Sequence, residues 1–285
     1  MIKKINYFIQ AIIIYFLFFL SKLIGLSLSR KVFSKLFLIF GKFFKSEKII
    51  QSNLEIYSKN LTQEEKKRII SNMWKNYGKT FIEYAFLDKL KNDNSHITIS
   101  GENIIQQVIA DNKPVIFVSG HFANFELMSM EITKRNVQLA TIYRPLNNYF
   151  LNPYMEYLRK KYICKNQIKK GINGVRQAIK FLNDGCSLAM MIDQRVSEGE
   201  KIDFFGKSAL TSTLTAQLAI KFDLKIVPVF IERNSNNNFR IEFLNQIKAS
   251  DFKNKIDLTI KLNKILEEMI TRNPTQWIWT HNRWK

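Results

Sequence analysis

The chain opens on apolar residues with almost no interruption. Ala11–Leu20 is wholly apolar or aromatic, and residues 5–28 carry a single charge, Lys22. A helix crossing a bilayer needs about 20 predominantly apolar residues. The segment is long enough for that, with Lys22 near an end where its stem can snorkel. The next block, Val32–Phe44, sets Lys35 and Lys42 among Phe, Leu and Ile. It is too short to span easily and reads as an interfacial amphipathic helix. A secretory signal is the competing pattern, with Lys3 and Lys4 as its basic head. No A-x-A-like cleavage site follows, however, and basic apolar sequence continues past Arg30. The expectation is a retained membrane anchor over residues 1–48, followed by one catalytic domain over 49–285.

Beyond the anchor the period changes. From Leu54 to Leu90 the pattern is helical, and Thr62 with Glu65 three residues later forms a capping box. After Asn92-Asp93-Asn94, short apolar runs alternate with helical stretches. Strands are predicted at His96–Ile99, Pro114–Ser119, Val137–Tyr143, Ser187–Ile192, Lys225–Ile231 and Phe239–Leu244. Helices are predicted at Gly101–Asp111, Asn124–Arg135, Tyr149–Tyr162, Gly174–Asn183, Thr211–Phe222 and Asp257–Arg272. This alternation predicts an α/β fold with a mostly parallel central sheet flanked by helices.

Charge and cysteine usage narrow the classes. The 285 residues carry 44 Lys+Arg against 24 Asp+Glu, a formal net charge of +20. Such a chain suits nucleic acid, an anionic membrane or an acidic protein. The aromatics fall in apolar runs rather than interleaving with a basic groove, which argues against nucleic acid. Residues 1–48 hold nine Lys/Arg and one Glu, a composition drawn to anionic headgroups. Basic residues on both sides of the apolar stretch leave its orientation undetermined. Cys164 and Cys186 form no metal or redox motif, and three histidines (His96, His121, His281) leave little for a metal centre. No metal or cofactor is expected, and His96 reads as a surface residue.

The chemistry concentrates after the strand Pro114–Ser119, in Gly120-His121-Phe122-Ala123-Asn124-Phe125-Glu126. Ligands of parallel sheets bind beyond the carboxyl ends of the strands, and Gly120 permits a sharp exit there. Five residues on one helix mean about 140° of rotation, so His121 and Glu126 would not share a helical face. With His121 in the turn and the helix starting near Asn124, Glu126 falls in the first helical turn. From there it could reach an imidazole nitrogen and orient a general base. A loop histidine beside a glutamate that satisfies a helix dipole is the plainer account. No G-x-S-x-G elbow is present to suggest a serine hydrolase.

These residues belong to a series of blocks. The G-H-F-x-N-F-E segment resembles the G-H-F-x-N-[WF]-E block of the bacterial lipid A biosynthesis late acyltransferases, lauroyl/myristoyl type, within the lysophospholipid acyltransferase superfamily. Tyr143-Arg144-Pro145, Asp193-Gln194, Phe204-Phe205-Gly206, Val227-Pro228-Val229 and Trp279-x-His281-x-Arg283-Trp284-Lys285 resemble further blocks of that family, in order. The F-P-E-G block of glycerolipid-type relatives is missing.

The resemblance implies transfer of a fatty acyl chain from an acyl carrier protein thioester to a hydroxyl of a lipid A precursor. It implies a site at the cytoplasmic face of a bacterial inner membrane, with His121 as base and Glu126 as its partner. It also implies a catalytic arginine, for which Arg159 and Arg144 compete. Asn124 is expected to cap a helix or touch substrate, and Asp193 to order loops or a partner arginine. His281 and Arg283 are expected to pack the C-terminal Trp-rich strand against the site, and Arg144, Asn124, Asp193 and Arg283 are the expected substrate-binding residues. The basic run Arg159–Lys170 is a candidate docking face for the acidic carrier protein. Two alternatives stay open: the same chemistry on another glycolipid or phospholipid, and a non-catalytic basic membrane-binding protein.

Overall fold

A computed structural model describes residues 2–285. Helix α1 (Ile2–Phe44) joins the apolar stretch and the basic block into one element, interrupted at Gly25, whose φ of 80° and ψ of 165° break the helical path. Its length and composition are compatible with membrane anchoring. Helices α2 (Glu47–Tyr57) and α3 (Gln63–Glu83) follow, and α3 starts on the Thr62–Glu65 capping box. α1 lies against α3 so closely that a Cβ on Gly78 would collide with the Phe33 carbonyl, and one on Gly41 with the Trp74 ring. The short helix α4 spans Leu87–Asn92.

The main sheet is built from β1 (Ile97–Ser100), β2 (Ile116–Ser119), β3 (Leu139–Tyr143), β4 (Asn166–Lys169), β5 (Ser187–Met191), β8 (Lys225–Arg233), β9 (Phe239–Phe243) and β10 (Ile247–Lys248). Its order is β1-β9-β8-β2-β5-β3-β4, with β10 beside the start of β8. All neighbours are parallel except β9 and β10 on β8. The expected mostly parallel α/β architecture is the one found.

Alternation along the central strands divides the core. Ile116 and Val118 point to a layer with Ala178, Leu182, Ala216 and Leu262, from helices α8 (Ile172–Asn183), α9 (Leu214–Lys221) and α10 (Lys255–Arg272). Phe117 points the other way, into a cluster with Ile105, Leu127 and Met73, from α5 (Glu102–Asp111), α6 (Glu126–Lys134) and α3.

Several elements depart from the sequence reading. Strand β4 and the hairpin of β6 (Glu200–Phe204) with β7 (Lys207–Thr211) were not predicted. Thr211, expected to open a helix, ends β7. The helix expected over Tyr149–Tyr162 is α7 (Asn152–Leu158) followed by a wider π turn, Arg159–Ile163. The C-terminal tryptophan segment is a series of turns rather than a strand. It is nonetheless fixed: Asn53 donates to the carbonyls of Trp279 (2.8 Å) and His281 (2.7 Å). His96, expected at the surface, is 8% exposed, with its ring edge-on to Phe239.

Candidate active site

Strands β2 and β5 are adjacent and parallel, with Ser119 paired to Met191. Two residues beyond that pair on each strand stand His121 and Asp193, at the same level beyond the carboxyl ends. The sheet register therefore brings together two side chains 72 positions apart. His121 Nδ1 lies 2.7 Å from Asp193 Oδ1, and the His121 backbone N–H donates to Oδ2 at 2.7 Å. The Trp277 indole N–H also donates to Oδ2, at 3.0 Å. Gly120 allows this approach, since a Cβ there would sit 2.9 Å from Leu266 and 3.3 Å from Asp193 Oδ2.

Burial works against charge on both partners, and their mutual attraction overcomes it. Desolvation raises the Asp193 pKa, but the His121 charge and three donated hydrogen bonds hold it below the usual carboxylate value. Desolvation likewise opposes protonation of His121, yet the Asp193 carboxylate carries its pKa above the ordinary 6.5. An ionised carboxylate only accepts hydrogen bonds, so neutral His121 carries its proton on Nδ1. Its Nε2 is then the lone-pair nitrogen, on a side chain that is 19% exposed.

The place on the imidazole expected for Glu126 is taken by another carboxylate, that of Asp193. Glu126 is the first residue of α6, and its Oε1 accepts from Tyr84 Oη at 2.5 Å and Arg159 Nε at 2.8 Å. Arg159 Nη2 also donates to Tyr84 Oη at 3.2 Å, and its guanidinium overlies the Tyr143 ring at 5.6 Å. Glu126, Arg159 and Tyr84 thus form a second cluster, whose Glu126 and Arg159 charges both act on the His121 imidazole. The π turn separates Arg159, directed inward, from exposed Lys160 and Lys161. Burial opposes charge on Arg159, but Glu126 holds its pKa above the ordinary arginine value.

The turn that carries His121 is clamped from behind. Ala123 has a left-handed φ of 44°, its carbonyl accepts from Thr80 (3.0 Å), and its N–H donates to the Gln276 carbonyl (3.1 Å). Asn124 is buried and does not cap α6. Its Nδ2 donates to Glu83 Oε2 at 2.9 Å, on the side of the turn that faces α3. Glu83 in turn receives Arg30 Nε at 2.6 Å and is paired with Arg233. This cluster, like Tyr84 and Trp277, has no signature in the sequence pattern.

Two other expectations change. Arg283 is fully buried, donating to the Leu210 carbonyl (2.9 Å) and Thr211 Oγ1 (2.7 Å) over the Phe204 ring. Burial lowers its pKa to about 10. It anchors the β6–β7 hairpin and is not placed to bind substrate. His281 Nε2 accepts from the Arg195 N–H at 2.9 Å, ordering the segment after Asp193. Arg144 stands exposed just past the end of β3.

Comparison with known proteins gives the family. The family described as bacterial lipid A biosynthesis acyltransferase matches residues 2–285. The chain belongs to that family. Among curated proteins, the lipid A biosynthesis palmitoleoyltransferase of Escherichia coli K12 is 23% identical over 249 residues, covering 85% of this chain and 79% of that one. The lipid A biosynthesis acyltransferase of Shigella flexneri matches to the same extent. A crystal structure of the 1-acyl-sn-glycerophosphate acyltransferase of Thermotoga maritima superimposes with a TM-score of 0.44 at 13% identity, over 95% of this chain and 99% of that one. As a family member, the chain is an acyltransferase of lipid A biosynthesis.

Proposed function

We propose that this acyltransferase moves a fatty acyl chain from an acyl carrier protein thioester to a hydroxyl of a lipid A precursor, with His121 as general base. The observation that carries the reading is the Asp193–His121 pair, which leaves Nε2 as the basic nitrogen. Nε2 takes the proton of the acceptor hydroxyl as its oxygen attacks the thioester carbonyl. The resulting tetrahedral oxyanion collapses, the carbon–sulfur bond breaks, and the imidazolium returns the proton to the departing thiolate. An acyl ester and a free carrier thiol result. General-base assistance of this kind contributes about 10²–10⁴ in rate. Arg159, held by Glu126 and Tyr84, is the cation proposed to face the oxyanion or an acceptor phosphate. Glu126 acts through Arg159 and through its charge on the imidazole. Arg144, exposed beyond β3, remains the candidate for acceptor binding. The domain is proposed to work at the cytoplasmic face of the inner membrane, held there by residues 1–48.

The test is acyl transfer in detergent micelles, with acyl-loaded carrier protein and a Kdo-bearing lipid A precursor, read by mass spectrometry. One added acyl mass with the parent chain, lost in His121→Ala, is the expected outcome. Transfer only when total membrane lipid replaces the precursor would assign another acceptor. Neither transfer nor donor hydrolysis on any lipid would overturn the enzyme reading.

The donor's acidity gives a second expected result. Lys160, Lys161, Lys169 and Lys170 lie exposed on one run beside Arg159. Lys161 Nζ donates to Tyr157 Oη and Lys169 pairs with Glu156 at 3.2 Å, so part of this charge is already engaged. Changing all four to Gln should raise KM for the carrier-protein donor at low salt and leave kcat in place. An unchanged KM removes this face as the docking site.

A further inference from the structure

Helix α1 is tied to the rest of the chain at points from Tyr7 to Gly41. In its first half, the Tyr7 carbonyl accepts from Asn148 Nδ2 (2.8 Å), and the Tyr7 and Phe8 rings stand edge-on to Tyr149 and Phe150. Tyr15 Oη donates to the Phe150 carbonyl (2.9 Å), and Phe18 packs on Phe81 and Tyr154. Lys22 pairs with Asp88 at 2.8 Å. Beyond the kink, Arg30 reaches Glu83, Phe33 meets Phe81, and Gly41 faces Trp74.

These ties conflict with a crossing. If Ile2–Ile24 stood upright with Ile24 at the membrane surface, Tyr7 would lie roughly 25 Å deep at 1.5 Å per residue. Asn148, Tyr149 and Phe150 would be carried to that depth, with Arg144, Asn147 and Asn152 close by in the chain. A depth of about 25 Å is still inside a hydrocarbon core of about 30 Å, where non-helical backbone exposed to lipid costs several kcal/mol per unsatisfied polar group.

The exposed face of the second half points to the alternative. Leu28, Val32, Leu36, Ile39 and Phe43 recur at spacings of three and four, forming one exposed apolar stripe opposite the α3 contact. Lys31, Lys35 and Lys42, also exposed, form a row along one edge of that stripe. The row runs for roughly 16 Å along the axis. A row of cations parallel to the axis suits a helix lying at headgroup level, with its stripe in the acyl region. The first half has its own exposed apolar row, Phe8, Ile12, Phe16, Phe19 and Leu23, at the same spacings of three and four, and Leu146 and Tyr149 are exposed on the loop that packs against it.

We propose that the protein is monotopic: both halves of α1, with the 145–150 loop, form one surface that enters a single leaflet of an anionic bilayer, and the chain does not cross it. This rests on the membrane association adopted above. The N-terminus and the catalytic domain are then on the same side. Helix α3 touches both the lipid-facing helix, through Glu83 and Arg30, and the His121 turn, through Thr80, so the acceptor lipid meets the site from within that leaflet.

The test uses the full chain in sealed inside-out and right-side-out inner-membrane vesicles. Lys4→Cys and Lys207→Cys are labelled with a membrane-impermeant maleimide, against the parent chain with its two buried cysteines. Both sites should label from the same side, and neither from the other. Labelling of the two sites from opposite faces would overturn the proposal while leaving membrane anchoring intact. Loss of the chain from membranes after a carbonate wash would overturn the anchoring itself. A fluorophore at Leu36→Cys or Leu146→Cys should be quenched by brominated lipid in phosphatidylethanolamine–phosphatidylglycerol vesicles. Absence of quenching, with Leu36→Cys forming cross-links between copies, would assign the stripe to a second copy of the chain and overturn the leaflet.

Discussion

Asp193→Asn is expected to lower kcat by about 10³–10⁴ while leaving the fold intact. Asp193 Oδ2 accepts from two donors that cannot turn away, the His121 backbone N–H and the buried Trp277 indole. In the Asn variant these donors hold the amide oxygen at that position, so the amide NH₂ faces His121 Nδ1. Nδ1 must then accept, the ring proton moves to Nε2, and the nitrogen needed as base is blocked. The pH profile provides an independent readout. In the parent chain the base works only when neutral, so kcat/KM rises with pH through the His121 pKa. Asp193 holds that pKa above 6.5. Removing the carboxylate leaves burial dominant, and the acid limb should move downward. Circular dichroism and an unfolding midpoint near the parent's would separate this effect from misfolding. If Asp193→Asn keeps its rate and Glu126→Gln instead shifts the limb, the orienting acid is Glu126 and the assignment made from the hydrogen bonds is wrong.

Much of the fold was legible because its signals are local. The capping box at Thr62–Glu65, the buried run before Ser119 and the change of period after Asn94 each depend on a few neighbouring residues, and each element formed near its predicted place. His121 was legible for the same reason, as the first polar residue beyond a strand end. Its partner was not. Glu126 is five residues away in sequence and was the natural candidate, but Asp193 reaches His121 only because β2 and β5 are neighbours with Ser119 opposite Met191. Strand order is not a local property, and periodicity carries no trace of it. The Tyr84 contact to Glu126 is hidden likewise, since it depends on how α3 ends against the start of α6. Arg283 misled in the opposite sense. Its position in a motif suggested substrate, whereas a fully buried guanidinium tying down the β6–β7 hairpin serves the fold. That hairpin escaped prediction because its strands are polar and half exposed, with a weak alternation.

Glu83 should be the residue whose loss costs the most stability. It is fully buried at the end of α3 and faces two buried arginines, Arg30 from α1 and Arg233 from β8, with Asn124 on its second oxygen. Burial alone would raise its pKa, but the Arg233 and Arg30 charges hold it below the usual value, so it is ionised. Glu83→Gln leaves two cations without a counter-charge, and breaking such a buried pair from one side costs about 3–5 kcal/mol. Denaturant unfolding in micelles, followed by tryptophan fluorescence, should show a loss of this size. A loss below about 1 kcal/mol would mean that water reaches the cluster. Replacing all three charges together (Glu83→Leu, Arg30→Leu, Arg233→Met) should recover most of the stability, because no uncompensated charge remains and desolvation is no longer paid. It should not recover full activity. Asn124 would lose its Glu83 acceptor, and with it one of the bonds that hold the His121 turn against α3. The same glutamate fastens α1 to the domain through Arg30, so a variant that is stable but slack at this point would loosen the catalytic turn and the lipid-facing helix together.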